Sequence, residues 1–340
     1  MSRKVTVVLS QAPGKNPAKR SLEESIAAAL LFEPGVDVSI VPNLYDLGPD
    51  HTGRMFLEGL GGDVIVLSWL YPRAAFWLLD RDGIKGHFGE TQLKPPGDDD
   101  EEEPEEVGEK PSAIGPSGAI PDRHIYTLDL RDFNKPEPYL TEVRRIVAEC
   151  QDRRAKKAAE KAATAAPVIV QLGLLTKPPQ EFAPDQLLAP AGRRWYPVID
   201  YSRCTNCLEC LDFCLFGVYG VDAFDRIITE NQDQCKKGCP ACSRVCPQQA
   251  IIFPEYKSAA IAGGEGATVG GLKIDLSKLF GGGDAADPLA AAVAERDREL
   301  VADGRAAVGT TVGLPKRQTG TAGPKDDLDK LVDDLDSLGL

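Results

Sequence analysis

Cys204-Thr205-Asn206-Cys207-Leu208-Glu209-Cys210-Leu211-Asp212-Phe213-Cys214 and Cys235-Lys236-Lys237-Gly238-Cys239-Pro240-Ala241-Cys242-Ser243-Arg244-Val245-Cys246-Pro247 hold eight of the nine cysteines of this 340-residue chain. Few structures need three thiols at three-residue steps with a fourth slightly further on. A loop turning tightly around a cubane iron–sulfur cluster can present sulfur to three of its four corners. Eight thiolates grouped four and four match two 4Fe-4S clusters.

Other uses of cysteine fit this spacing less well. Structural zinc prefers ligand pairs two to four residues apart, split by a longer spacer. A disulfide framework needs an oxidising compartment and usually a small secreted chain. The opening Met1-Ser2-Arg3-Lys4-Val5-Thr6-Val7-Val8-Leu9 lacks a signal peptide's apolar region and cleavage site. The expected compartment is the reducing cytoplasm.

Residues 193–256 resemble bacterial-type two-cluster ferredoxin domains. The likeness covers under a fifth of the chain. Trp195-Tyr196-Pro197-Val198-Ile199-Asp200-Tyr201-Ser202-Arg203-Cys204 looks like that family's first strand entering its first cluster loop, and Cys246-Pro247-Gln248-Gln249-Ala250-Ile251-Ile252 like its exit turn and last strand. The resemblance implies that Cys204, Cys207, Cys210 and Cys246 hold one 4Fe-4S cluster and that Cys214, Cys235, Cys239 and Cys242 hold the other. Two departures stand out: Leu215 replaces the proline expected after Cys214, and three residues separate Cys235 from Cys239. Gly238 can absorb the extra residue because glycine tolerates positive φ.

An internal repeat agrees. Asp200-Tyr201-Ser202-Arg203 precedes Cys204 as Asn231-Gln232-Asp233-Gln234 precedes Cys235. Between them, residues 217–221 and 226–229 read as a β-hairpin turning at Asp222-Ala223-Phe224-Asp225. A unit this small has a thin apolar core, so metal ligation is expected to supply much of its stability. Glu209 and Asp212 lie in the first loop; Lys236, Lys237 and Arg244 lie in the second. Cations favour the added negative charge of a reduced cluster. The second site is therefore expected to have the higher potential.

The first 165 residues read as an α/β domain with an open, mainly parallel sheet of flavodoxin or Rossmann type. Strands are expected at 5–9, 36–41, 63–68 and 124–130. Ser21-Leu22-Glu23-Glu24 reads as a capping box opening a helix through Phe32. Further helices are expected at 72–79 and 138–163. The alternation of strands and helices implies right-handed crossovers. Cys150 falls in step with Val143, Ile146 and Val147, which puts it in the core as a small hydrophobe.

Ligands of open sheets bind beyond the carboxyl ends of the strands. Ser68, Tyr71 and Arg73, at a helix start after the third strand, form the candidate site there for an anion or a flavin-like cofactor. Packing of Trp69 and Tyr71 on the sheet edge is the alternative. No Gly-x-Gly-x-x-Gly or phosphate loop follows the first strand. His51, His87 and His124, the only histidines, stand singly and suggest no second metal site.

The formal net charge is −13, with much of it in the run Asp98–Glu106. That run marks an acidic disordered insert at 91–122 rather than a charged binding face, and the overall sign argues against nucleic acid. No apolar stretch is long enough to span a membrane. Residues 166–192 read as a linker and 257–340 as a flexible Gly- and Ala-rich tail with helices at 287–302 and 326–338. The apolar stripe of the last helix is expected to dock in cis or on a partner.

Two functions fit. The first is electron transfer by two 4Fe-4S clusters to redox protein partners, with the α/β domain as scaffold or interaction module. The second is an oxidoreductase or oxidoreductase subunit whose α/β domain binds a flavin or another cofactor fed by the clusters.

Overall fold

The computed structural model describes residues 4–93, 112–163, 182–264 and 288–313. In the first half, Val5–Ser10 forms β1, Pro17–Leu31 α1, Val36–Val41 β2, Thr52–Gly59 α2, Val64–Ser68 β3, Pro72–Arg81 α3, His87–Gly89 β4, His124–Asp129 β5 and Glu137–Ala163 α4. All five strands pair in parallel, in the order β2-β1-β3-β5-β4. Four were expected. The fifth, β4, is a three-residue edge strand, too short for any periodicity to announce it.

Successive side chains of a strand point to opposite faces. Val5, Val7 and Leu9 of β1 pack with Ile26 and Leu30 of α1 and with Val143, Ile146 and Cys150 of α4. Val8, with Val64 and Val66 of β3, packs on the other face against Leu57 of α2 and Ala74, Ala75 and Leu78 of α3. The sheet is therefore covered on both sides, which is why β3 is buried along its whole length.

Helix α1 begins earlier than the expected capping box. Asn16 Oδ1 accepts from the backbone N–H groups of Ala18 and Lys19, and Pro17 takes the first helical position, where its fixed φ suits the helix. Glu23 is thus an interior residue of α1. It is 1% exposed, and its carboxylate accepts from Ala12 N at 2.6 Å and Trp69 Nε1 at 2.8 Å.

Helix α3 is buried on every side from Arg73 to Asp80. A helix apolar all round needs cover all round. The sheet covers one side, and the cysteine-bearing half covers the other through Tyr196, Val198 and Ile252. That half contains α5 (Pro184–Leu187), β6 (Val198–Ile199), α6 (Glu209–Phe213), β7 (Tyr219–Val221), β8 (Ile227–Thr229), α7 (Ala241–Val245), β9 (Ile251–Ile252), α8 (Ala259–Ala262) and α9 (Pro288–Ala302). Strand β6 pairs antiparallel with β9, and β7 with β8. Tyr45 and Tyr196 join the halves. Tyr45 Oη donates to Tyr196 O at 2.6 Å and accepts from Tyr196 N at 2.7 Å, while Tyr196 Oη donates to Tyr45 O at 2.8 Å.

Three segments expected to be loose are anchored where they are described. Of the expected linker, residues 166–181 lie outside the described residues. Further along, Thr52 Oγ1 donates to Gln186 O, and His51 Nε2 lies 2.9 Å from Ala189 O. Of the expected insert, 94–111, including the acidic run, lies outside the described residues. Of its remainder, Gln92 N donates to Glu142 Oε1 at 2.8 Å on the sheet side, and Ile114 and Gly115 lie on the first cysteine loop, donating from N to Cys204 O and Tyr201 O, both at 2.9 Å. In the tail, α9 packs on α7, and Arg244 holds Glu295 at 2.9 and 3.0 Å. The helix expected at 326–338 lies outside the described residues. Among the described residues no helix is long and apolar enough to cross a membrane.

Candidate functional site

The first cysteine loop starts from a turn built by Asp200. Its carboxylate accepts from Ser202 N at 2.9 Å and Ser202 Oγ at 2.5 Å, and its backbone O from Cys204 N at 2.9 Å. Asn206 and Leu208 then take positive φ, 59° and 62°. Such strain costs about 1–3 kcal/mol per residue and persists where the surroundings over-determine it. Here Asn206 is held from both ends: its Nδ2 donates to Asp225 O at 2.8 Å and its Oδ1 accepts from Ile227 N at 2.9 Å. The β7–β8 hairpin thereby fixes the path of the loop between Cys204 and Cys210.

Cys204, Cys207, Cys210 and Cys246 surround one cavity, with Ile227, Ala250 and Ile251 in its wall. Cys214, Cys235, Cys239 and Cys242 surround a second, with Phe213, Phe216, Val218 and Tyr219. Gly238 has φ 87°, so the extra residue between Cys235 and Cys239 is taken up in the left-handed region. Cys235 consequently reaches the second cavity beside Cys239.

The thiols act on one another within these groups. Burial pushes the Cys210 thiol well above its ordinary pKa, and Cys246, Cys204 and Cys207 push it further. Burial raises Cys242 in the same way, with Cys214, Cys235 and Cys239 adding to it and the Tyr219 hydroxyl opposing. Cys239 and Cys246 are each pushed up to about 11, again chiefly by burial. Four thiolates crowded round an apolar void need positive charge within the void. Iron would supply it, and soft sulfur donors suit iron–sulfur chemistry. Among the described residues no three His, Cys, Asp or Glu side chains gather as they would round a single metal ion; the sulfurs are spread around the two voids. The donor set and the cavities fit iron–sulfur clusters.

Two contacts at the second cavity were missed in the sequence, the first of them without a local signal. Tyr219 is buried, and its Oη donates to Cys242 Sγ at 3.1 Å. Arg296 of α9 also lines the second cavity. It shares the apolar face of its helix with Leu289, Ala292, Val293 and Leu300, a pattern that could have flagged it. The charge contrast expected between the loops is altered: Lys236 pairs with Asp303 at 2.6 Å and Arg244 with Glu295 at 2.9 Å, while Glu209 is buried in the first wall.

The candidate ligand site on the sheet is not presented to an anion. Arg73 Nε lies 2.9 Å from Asp200 Oδ2, and Arg73 Nη2 donates to Gln249 O at 2.8 Å. The guanidinium therefore faces the cysteine half. Tyr71 lies under Arg131, 3.8 Å from its ring centre, and Ser68 is fully buried. At the crevice itself, Glu23 already occupies the donors of Ala12 and Trp69. Cys150 lies in the sheet's core, its thiol pushed up to about 11 by burial. His87 and His124, separate in sequence, are neighbours across β4 and β5 with ring centres 5.6 Å apart. His51 instead caps α2, accepting from Gly53 N at 3.0 Å.

Over 64 residues the chain is 44% identical to an uncharacterized ferredoxin of Methanocaldococcus jannaschii. The chain contains a ferredoxin-like segment. The match takes in 18% of this chain and 43% of that relative, so the chain spans less than half of the relative's length. No protein-family profile matches the chain, and no solved structure matches it. The ferredoxin-like segment makes iron–sulfur chemistry the first reading of the two sulfur-lined cavities.

Proposed function

We propose that the protein is a one-electron carrier with two 4Fe-4S clusters. Cys204, Cys207, Cys210 and Cys246 hold one, and Cys214, Cys235, Cys239 and Cys242 hold the other. The observation that carries this reading is the grouping of the sulfurs, four around each of two apolar cavities. The likeness to a ferredoxin supports it independently.

When bound, each cluster supplies a one-electron store. The chain's residues supply the rest. Eight thiolates fill the coordination of both clusters, leaving no open corner for a substrate, which favours a carrier over an enzyme. Ile227, Ile251, Phe216 and Val218 keep water from the sulfurs. Asn206 and Gly238 let the loops turn tightly enough to aim them. Tyr219 places a hydroxyl donor on Cys242. The parallel sheet serves as the scaffold: α3 backs the cysteine half, and Arg73 and Tyr45 fix its orientation. Partners are redox proteins, in a compartment that keeps thiols reduced.

An oxidoreductase reading would need a flavin near Tyr71 and Arg73, and Arg73 is turned to Asp200. The visible spectrum of anaerobically purified protein tests the choice. A broad sulfur-to-iron shoulder that dithionite bleaches supports the carrier. Resolved flavin peaks would contradict it.

A further inference from the structure

Helix α9 lies outside the ferredoxin-like repeat of cysteine loops, yet it completes the wall of the second cavity. Ala292 and Val293 share a core with Ala241, Cys242 and Val245 of α7. Its Glu295 and the following Asp303 are the acids that pair with Arg244 and Lys236. The tail closes over the same region. Gly313 has φ 68°, and a Cβ there would come within 2.7 Å of Asp212 O and 3.2 Å of Arg296 Nη1.

Arg296 is 1% exposed. Burying a guanidinium costs several kcal/mol, and an apolar residue in such a place is often no worse for stability. The chain nonetheless holds this charge carefully. Nη1 donates to Val312 O at 2.9 Å, Nη2 to Gly309 O at 2.7 Å, and Nε lies 3.2 Å from Asp297 Oδ1. The guanidinium carbon sits 4.7 Å from the ring centre of Phe213, another wall residue. Arg296 lines the cavity and its counter-ion Asp297 does not.

Resting on the two-cluster reading, we infer that Arg296 sets the reduction potential of the cluster held by Cys214, Cys235, Cys239 and Cys242. Reduction there adds one electron from an external one-electron donor and makes or breaks no bond. The added negative charge is stabilised by a fixed, desolvated cation beside it. Of α9, the charged residue that lines the cavity is Arg296, while Glu295 is held by Arg244.

Redox titration of the full-length, iron-loaded chain, followed by EPR, tests this with Arg296→Gln, Arg296→Lys and Arg296→Met, iron content being measured on each sample. Arg296→Gln is expected to weaken reduction of one cluster about tenfold, a fall of ~59 mV for one electron, and to leave the other midpoint in place. Arg296→Lys, which keeps the charge, is expected to stay near wild type. Arg296→Met, uncharged and of similar length, is expected to lower the same midpoint. Unmoved midpoints in Arg296→Gln overturn the inference. So does a fall in Arg296→Lys as large as in Arg296→Gln, which would mark a packing role. If Arg296→Gln fails to hold iron, an unmoved midpoint in Arg296→Met overturns the inference. Wild-type protein without iron and sulfide overturns the two-cluster reading, and the inference with it.

Discussion

Arg73 and Asp200 meet at 2.9 Å, joining the first turn of α3 to the turn that delivers Cys204. Asp200 is 0% exposed, and Arg203 Nε also approaches the same carboxylate oxygen, at 3.7 Å. The sheet thereby reaches the first cysteine loop through one ion pair.

Asp200→Ala is expected to be strongly destabilising. Removing one member of a buried pair leaves the other uncompensated, at about 3–5 kcal/mol. The turn at Ser202 loses its acceptor as well. Urea unfolding and iron analysis should show a lower midpoint together with loss of iron. An unchanged midpoint would mean that the pair is not what holds the loop.

Tyr219→Phe removes the hydroxyl that donates to Cys242 Sγ at 3.1 Å. Hydrogen bonds to cluster sulfurs help set reduction potentials. The variant is expected to fold with a loss of about 1 kcal/mol, and one cluster midpoint is expected to fall in a spectroelectrochemical titration.

What was legible in the sequence was short in range. The cysteine steps, the apolar runs of β1 and β3 and the hairpin at 219–229 each declare themselves within about ten residues. The Asn16-Pro17 helix start was equally local, but a capping-box match four residues later concealed it. Arg73 and Arg296 could not be understood that way. Their roles come from Asp200, Gln249, Gly309 and Val312, which the fold brings to them from other segments. The packing of Ile114 on the first cysteine loop was hidden by the acidic run before it.

Glu23→Ala tests whether the sheet crevice is a filled structural site. Ala12 N and Trp69 Nε1 lose their acceptor, and an orphaned buried donor costs about 1–3 kcal/mol. Thermal unfolding should show the loss, while the cluster spectrum stays unchanged. A gain of flavin or phosphate binding in the wild-type protein, measured by calorimetry, would contradict this assignment.

Cys150, 0% exposed in the core of the sheet, lies apart from the two sulfur groups and is the cysteine least open to reagents. Burial pushes its pKa up to about 11, so the folded state holds this proton to higher pH than the unfolded state does. The resulting stability is present below the ordinary thiol range and is lost as pH rises from about 9 through about 11. Relative to Cys150→Ala, wild type should lose urea resistance across that window. After iron removal, alkylation near neutral pH should modify the cavity cysteines first and Cys150 last, as mass spectrometry of peptides would reveal.

The most direct test is the iron and acid-labile sulfide content of anaerobically prepared full-length protein. Two sulfur-ringed cavities each filled by a cubane require roughly eight iron and eight sulfide per chain. Zinc in place of iron, or iron without labile sulfide, would contradict the account.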